Sequence, residues 1–77
     1  MLYLHDGPIN TLIFYNNRLF SSSIDNKIVE YCLETEQILN IYQGHTGSIH
    51  TLHLIEEDNV RLYSISDDNQ ILVWNID

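Results

Sequence analysis

Seventy-seven residues, 44% hydrophobic and 18% charged, suffice for one small domain and carry too many apolar side chains for a disordered segment. Eleven acidic residues against Arg18, Lys27 and Arg61 leave a formal charge of −8, which excludes a phosphate-neutralising nucleic-acid surface and an anionic membrane as partners. The single cysteine, Cys32, excludes an internal disulfide, and no apolar run approaches the roughly 20 residues of a membrane span.

The opening MLYLHDGP lacks the basic and long apolar segments of a secretory signal, so the expected location is the cytoplasm, with the nucleus as alternative. Residues 9–15 (INTLIFY) alternate and are rich in β-branched and aromatic side chains, and are predicted as the first strand. Residues 18–23 (RLFSSS) form a second strand that stops at Ile24-Asp25-Asn26. Asp and Asn there tolerate left-handed backbone and close an Asx-turn. Residues 27–33 (KIVEYCL) read as a third strand, the polar LETEQ as a turn, and 38–43 (ILNIYQ) as a fourth strand. A helix competes only over 28–39, where Ile28, Tyr31, Cys32 and Thr35 approach a helical period. The corresponding ILVWNID later in the chain is dominated by β-branched and aromatic residues, which favours strands throughout. Residues 49–55 (IHTLHLI), 61–66 (RLYSIS) and 70–76 (QILVWNI) complete the predicted strands, with EED at 56–58 as a solvated hairpin turn.

The chain repeats itself. A shift of 40 positions lays HDGPINTL (5–12) over HTGSIHTL (45–52), with His, Gly, Ile, Thr and Leu coinciding. After a three-residue insertion near EEDNV, a shift of 43 lays RLFSSSIDNKIVEY (18–31) over RLYSISDDNQILVW (61–74). Arg, Leu, two serines, Asp, Asn and Ile then coincide, as repeated supersecondary units require.

Gly44-His45, the segment SISDDNQILVW and the closing Trp74-Asn75 resemble the WD (WD40) repeat of β-propellers, in which Trp-Asn is a variant of the usual Trp-Asp ending. In the first unit Leu4-His5 and Tyr31-Cys32 stand where the family has Gly-His and Trp-Asp. The resemblance implies an all-β fold: two four-stranded antiparallel blades of a partial propeller, the second lacking its outer strand. The repeat region is expected over 1–77, with repeat one at about 5–43 and repeat two at about 44–77. The resemblance also implies a buried hydrogen-bond chain of His45, Ser64, Asp68 and Trp74, and of His5, Ser21, Asp25 and Tyr31 in the first unit. The side-chain inventory allows it: indole only donates, hydroxyl and neutral imidazole do both, and carboxylate only accepts. Tyr31 replaces Trp approximately, so the first network is expected to be looser.

Ser64, His45 and Asp68 are also the side-chain types of a small serine hydrolase. Ser64 lies in a strand of small residues rather than at a Gly-x-Ser-x-Gly elbow, and the constellation occurs twice, so a structural role is expected and no enzyme. His50 and His53, three apart on a strand, face opposite sides and cannot share one metal ion; no metal and no cofactor is expected. Nothing basic stands beside Cys32 to lower its pKa, so a structural or inert thiol is expected. The functional expectation is a non-catalytic scaffold for other proteins or peptides. Its contact face, by the resemblance, holds Ser48, His50 and Asp67, with Pro8, Asn10 and Ile24 as counterparts. Basic or aromatic peptides suit the acidic charge. Two blades do not close a ring, so a piece of a larger propeller is expected, completed by further blades or by self-assembly; the alternative is a truncated product without independent function.

Overall fold

Alternating side chains and asparagine-rich turns fold the chain into two antiparallel meanders. The computed structural model describes residues 3–76; residues 1, 2 and 77, the limits of the expected repeat region, lie outside them. Strands β1 (Ile9–Tyr15), β2 (Arg18–Ser23), β3 (Lys27–Cys32) and β4 (Gln37–Gln43) form one sheet in that order. Strands β5 (Ile49–Glu56), β6 (Val60–Ser66) and β7 (Ile71–Asn75) form the other. This is the expected all-β pair of blades, the second with three strands among the described residues. Strand ends differ from expectation by a residue, as at β3 and β4, where Cys32 pairs with Gln37 and closes a hairpin over the stretch with helical spacing.

The turns follow from local chemistry. Tyr15 pairs directly with Arg18, leaving Asn16 and Asn17 as a two-residue turn with φ of 51° and 60°. Positive φ at both positions is the type I′ geometry, whose twist matches that of the strands it joins. The corresponding β5–β6 hairpin closes on the pair Glu56 and Val60, and the three extra residues are spent there. In the β2–β3 and β6–β7 turns, Asn26 and Asn69 take the left-handed conformation, with φ of 70° and 66°.

Directly opposed residues share a face. In the first sheet one face carries Ile13, Phe20 and Glu30 in one row and Ser22, Ile28 and Tyr42 in another. In the second, Leu54, Leu62 and Trp74 form one row and Leu52, Ser64 and Leu72 the next. These two faces meet: Phe20 and Ile28 pack with Ile49, Leu52 and Leu62, flanked by Ile13, Tyr15, Tyr42, Leu54 and Trp74. Tyr42 and Trp74 place their rings 5.2 Å apart at a tilt of 59°, a favourable aromatic geometry.

Polar bonds fix how the blades sit. Asn10 Nδ2 donates to the Ile49 carbonyl at 2.6 Å, and Thr11 Oγ1 to the His50 carbonyl at 3.0 Å. Glu30, buried at the contact, accepts from Arg18 Nη1 at 2.9 Å and from Tyr42 Oη at 2.6 Å. Burial of the phenol, with the adjacent Glu30 carboxylate, pushes the Tyr42 hydroxyl pKa far up, so it stays a donor. Ser22 Oγ is buried without a hydrogen-bond partner among the described residues.

Candidate functional site

The second blade gathers the four residues singled out by sequence around one buried imidazole. His45 Nδ1 lies 2.9 Å from Asp68 Oδ2, and His45 Nε2 lies 2.7 Å from Ser64 Oγ. Trp74 Nε1 donates to the same Ser64 oxygen at 2.9 Å. Donor and acceptor accounting fixes the protons. Ionised Asp68 only accepts, so Nδ1 carries the histidine proton and donates to it. Nε2 is then an acceptor, takes the Ser64 hydroxyl proton, and leaves the Ser64 oxygen free to accept the indole N–H.

Asp68 sits where the β6–β7 turn converges backbone donors on it. Its Oδ2 accepts from Thr46 N at 2.9 Å and its Oδ1 from Gln70 N at 3.0 Å, while Ser66 Oγ accepts from Asp68 N at 3.2 Å. Burial pushes the Asp68 carboxyl up, but the bonds from Thr46, His45 and Gln70 outweigh it and hold the group below the usual aspartate range. Gly47 belongs to the same closure: a Cβ there would come within 3.0 Å of the Asp68 backbone nitrogen. Gly44 packs under the indole, where a Cβ would lie 3.2 Å from Trp74 Cη2.

The first blade assembles three of its four. His5 Nδ1 lies 3.0 Å from Asp25 Oδ2, and His5 Nε2 lies 2.8 Å from Ser21 Oγ. Asp25 accepts from Asp6 N at 3.0 Å and Lys27 N at 3.1 Å; these bonds, with His5, overcome burial and lower its pKa. Tyr31 corrects the expectation of a fourth member. It pairs across the sheet with Leu19, as Trp74 does with Leu62, and it is buried, yet its side chain makes no hydrogen bond among the described residues. The tyrosine hydroxyl stands at the tip of the ring, whereas the indole donor is on its side. Ser21 Oγ has instead the Val29 carbonyl at 3.5 Å. Leu4 fills the position of Gly44, so this blade has lost both the indole and the glycine beneath it.

The six candidate contact residues come together at one edge of the pair of sheets. Pro8 and Ile24 are joined by a backbone bond of 3.3 Å, and Ser48 and Asp67 by the equivalent bond of 2.9 Å. The register of each innermost strand slips between Ile9 and Thr11 and between Ile49 and Thr51, so Asn10 and His50 are bulge residues in matching places. Bulges re-aim side chains. Asn10 turns across to the second blade, with Ser48 Oγ 3.4 Å from its amide, and His50 Nε2 meets Asp67 Oδ1 at the exposed rim. Sequence reasoning passed over Arg18, Glu30 and Tyr42; a glutamate in mid-strand, where the other repeat has Val73, was the available signal. Cys32 also departs from expectation: the Thr35 hydroxyl and N–H bond to the thiol and lower its pKa without any basic neighbour.

Comparison with known proteins agrees with this geometry. No family model matches the chain. Pre-mRNA-processing factor 19 of Caenorhabditis elegans is 31% identical over 67 residues, covering 87% of this chain and 13% of that protein. Pre-mRNA-processing factor 17 of Homo sapiens is 33% identical over 61 residues, covering 79% of this chain and 10% of that one. This chain therefore spans a small part of the length of the relatives it matches. The crystal structure of Saccharomyces cerevisiae Sqt1 superimposes with a TM-score of 0.87 at 21% identity, covering 97% of this chain and 22% of that one, which is a likeness of fold. Both processing factors are WD-repeat proteins and Sqt1 is a WD40 propeller. With two all-β sheets that repeat one turn and core pattern, the chain belongs to the WD-repeat β-propeller family and carries two consecutive repeats.

Proposed function

We propose that this chain is a non-catalytic docking platform for other proteins, and that the His–Ser–Asp constellation holds the platform in shape. The observation that carries this reading is the state of Ser64. It is fully buried, and its oxygen already accepts the Trp74 indole N–H. A hydrolytic serine needs an open approach for a carbonyl carbon and a free lone pair to attack it. The recurrence of the constellation around His5 supports the same reading, since a blade-forming device is needed once per blade.

The docking edge is formed by Pro8, Asn10, Ile24, Ser48, His50 and Asp67. An extended peptide with basic or aromatic side chains suits it: Ile24 offers exposed apolar surface, Asp67 a carboxylate, and the chain as a whole carries −8. The two relatives named for pre-mRNA processing support a nuclear setting over the cytoplasmic one. Arrays of basic, aromatic and acidic peptides test the proposal, with affinities read by fluorescence polarisation. Basic or aromatic peptides are expected to bind, and His50→Ala with Asp67→Ala to weaken them by about tenfold or more, while esterase substrates stay intact. Peptide binding indifferent to the edge variants, or hydrolysis lost in Ser64→Ala with the fold retained, overturns it.

A further inference from the structure

The contact between the two blades uses one face of each sheet, and the opposite face of each meets no other blade among the described residues. On the first blade the open face is formed by the rows Leu12–Ser21–Val29–Ile41 and Phe14–Leu19–Tyr31–Ile38; Ser21, Val29 and Tyr31 are buried at its centre, and its apolar margins on β1 and β4 are exposed. Leu12 and Phe14 stand there 59% and 62% exposed. On the second blade the open face is formed by the rows His53–Tyr63–Val73 and Thr51–Ile65–Ile71. Ile71 and Val73 are 64% and 52% exposed.

These faces are counterparts of the ones already in contact. By the internal repeat, Leu12, Phe14 and Leu19 occupy the places of Leu52, Leu54 and Leu62, which the second blade presses onto the first. Likewise Ile55, Tyr63 and Ile71 occupy the places of Tyr15, Phe20 and Ile28, which receive them. One blade-to-blade step therefore carries the open face of the first blade onto the open face of the second. A notch lined by Ile55, Glu57, Asp58, Asn59, Arg61 and Tyr63 lies on the receiving face. Its place matches that of Tyr15, which with Leu54 flanks the core of the blade contact, and the counterpart of Leu54 is the exposed Phe14.

We propose that the two open faces are the halves of one head-to-tail contact, and that the occupant of each is a second copy of this chain. The argument is continuity with the interface inside the chain, and it goes beyond the peptide-docking edge, which lies at the strand ends. Such a contact is heterologous: two unlike surfaces meet, and each copy keeps one of each free. The contact is apolar while every copy carries −8, so the copies repel at long range and salt strengthens their association.

Sedimentation velocity on the 77-residue chain tests this, with Phe14→Glu and Ile71→Glu as variants on the two open faces. Wild type is expected to form species larger than the monomer, increasingly so with concentration and with salt. Each variant alone is expected to be monomeric, and an equal mixture of the two to form a one-to-one pair that grows no further. Leu12→Glu and Val73→Glu replace any variant whose circular dichroism departs from wild type. A wild-type chain that is monomeric or unfolded at every concentration, an assembly that survives either substitution, or a mixture that stays monomeric overturns the proposal. Survival of one substitution alone would identify a symmetric dimer of like faces.

Discussion

Replacing Ser64 by alanine removes one oxygen that serves two partners. Ser64 is fully buried, and it both donates to His45 Nε2 at 2.7 Å and accepts from Trp74 Nε1 at 2.9 Å. A buried polar atom deprived of its partner costs about 1–3 kcal/mol. The His45 side chain is only 1% exposed, so its orphaned nitrogen incurs that cost in full. Trp74 is partly exposed, and its N–H turns to water at a smaller loss of about 1 kcal/mol. The expected total is about 2–4 kcal/mol, a large share of the roughly 0.05–0.15 kcal/mol per residue that keeps a domain folded. Ser21→Ala is the internal control, because Ser21 serves His5 at 2.8 Å but no indole, and its cost is expected to be about 1 kcal/mol smaller. Urea denaturation followed by circular dichroism measures both. Equal losses, or a Ser64→Ala chain as stable as wild type, would refute the account of the relay.

Acid should destabilise the fold through Asp25 and Asp68, whose carboxyls are held below the usual range in the folded chain. The unfolded chain protonates first, so their contribution is complete above about pH 3.9 and is lost as pH falls through the folded values; urea midpoints measured across the acid range check this, and a midpoint that rises on acidification contradicts it. Ser22→Ala removes a buried hydroxyl without a partner among the described residues and is expected to raise stability by about 1 kcal/mol, read from the same denaturation curves. Gly47→Ala is expected to cost about 1–3 kcal/mol, because the added methyl meets the Asp68 backbone at 3.0 Å. Gly44→Ala should cost less, since it meets only the ends of the Leu72 and Trp74 side chains, and comparing the two thermal midpoints decides it.

The strands were readable because their causes are local. INTLIFY and IHTLHLI alternate, and Asn16, Asn17, Asn26 and Asn69 are residues that tolerate the positive φ their turns demand. The polar relay could be nominated because the resemblance to the WD repeat implies it, and the internal repeat places its residues twice, at His5, Ser21 and Asp25 and at His45, Ser64 and Asp68. What stayed hidden depends on neighbours distant in sequence. The bulges at Asn10 and His50 appear only when β2 and β6 fix the register. Glu30 reads as a surface glutamate until Arg18 and Tyr42 close over it at the blade contact. Tyr31 has the right size and place for an anchor, yet among the described residues Ser21 bonds to His5 and Val29 instead.

Hydrogen exchange of the Trp74 indole proton tests most directly whether Ser64 is held within the fold rather than free to react. The chain has one tryptophan, so a single resonance in a nitrogen–proton spectrum reports it. The account predicts slow exchange of that proton in the folded wild type, becoming fast in Ser64→Ala. Free exchange in the folded wild type would contradict it.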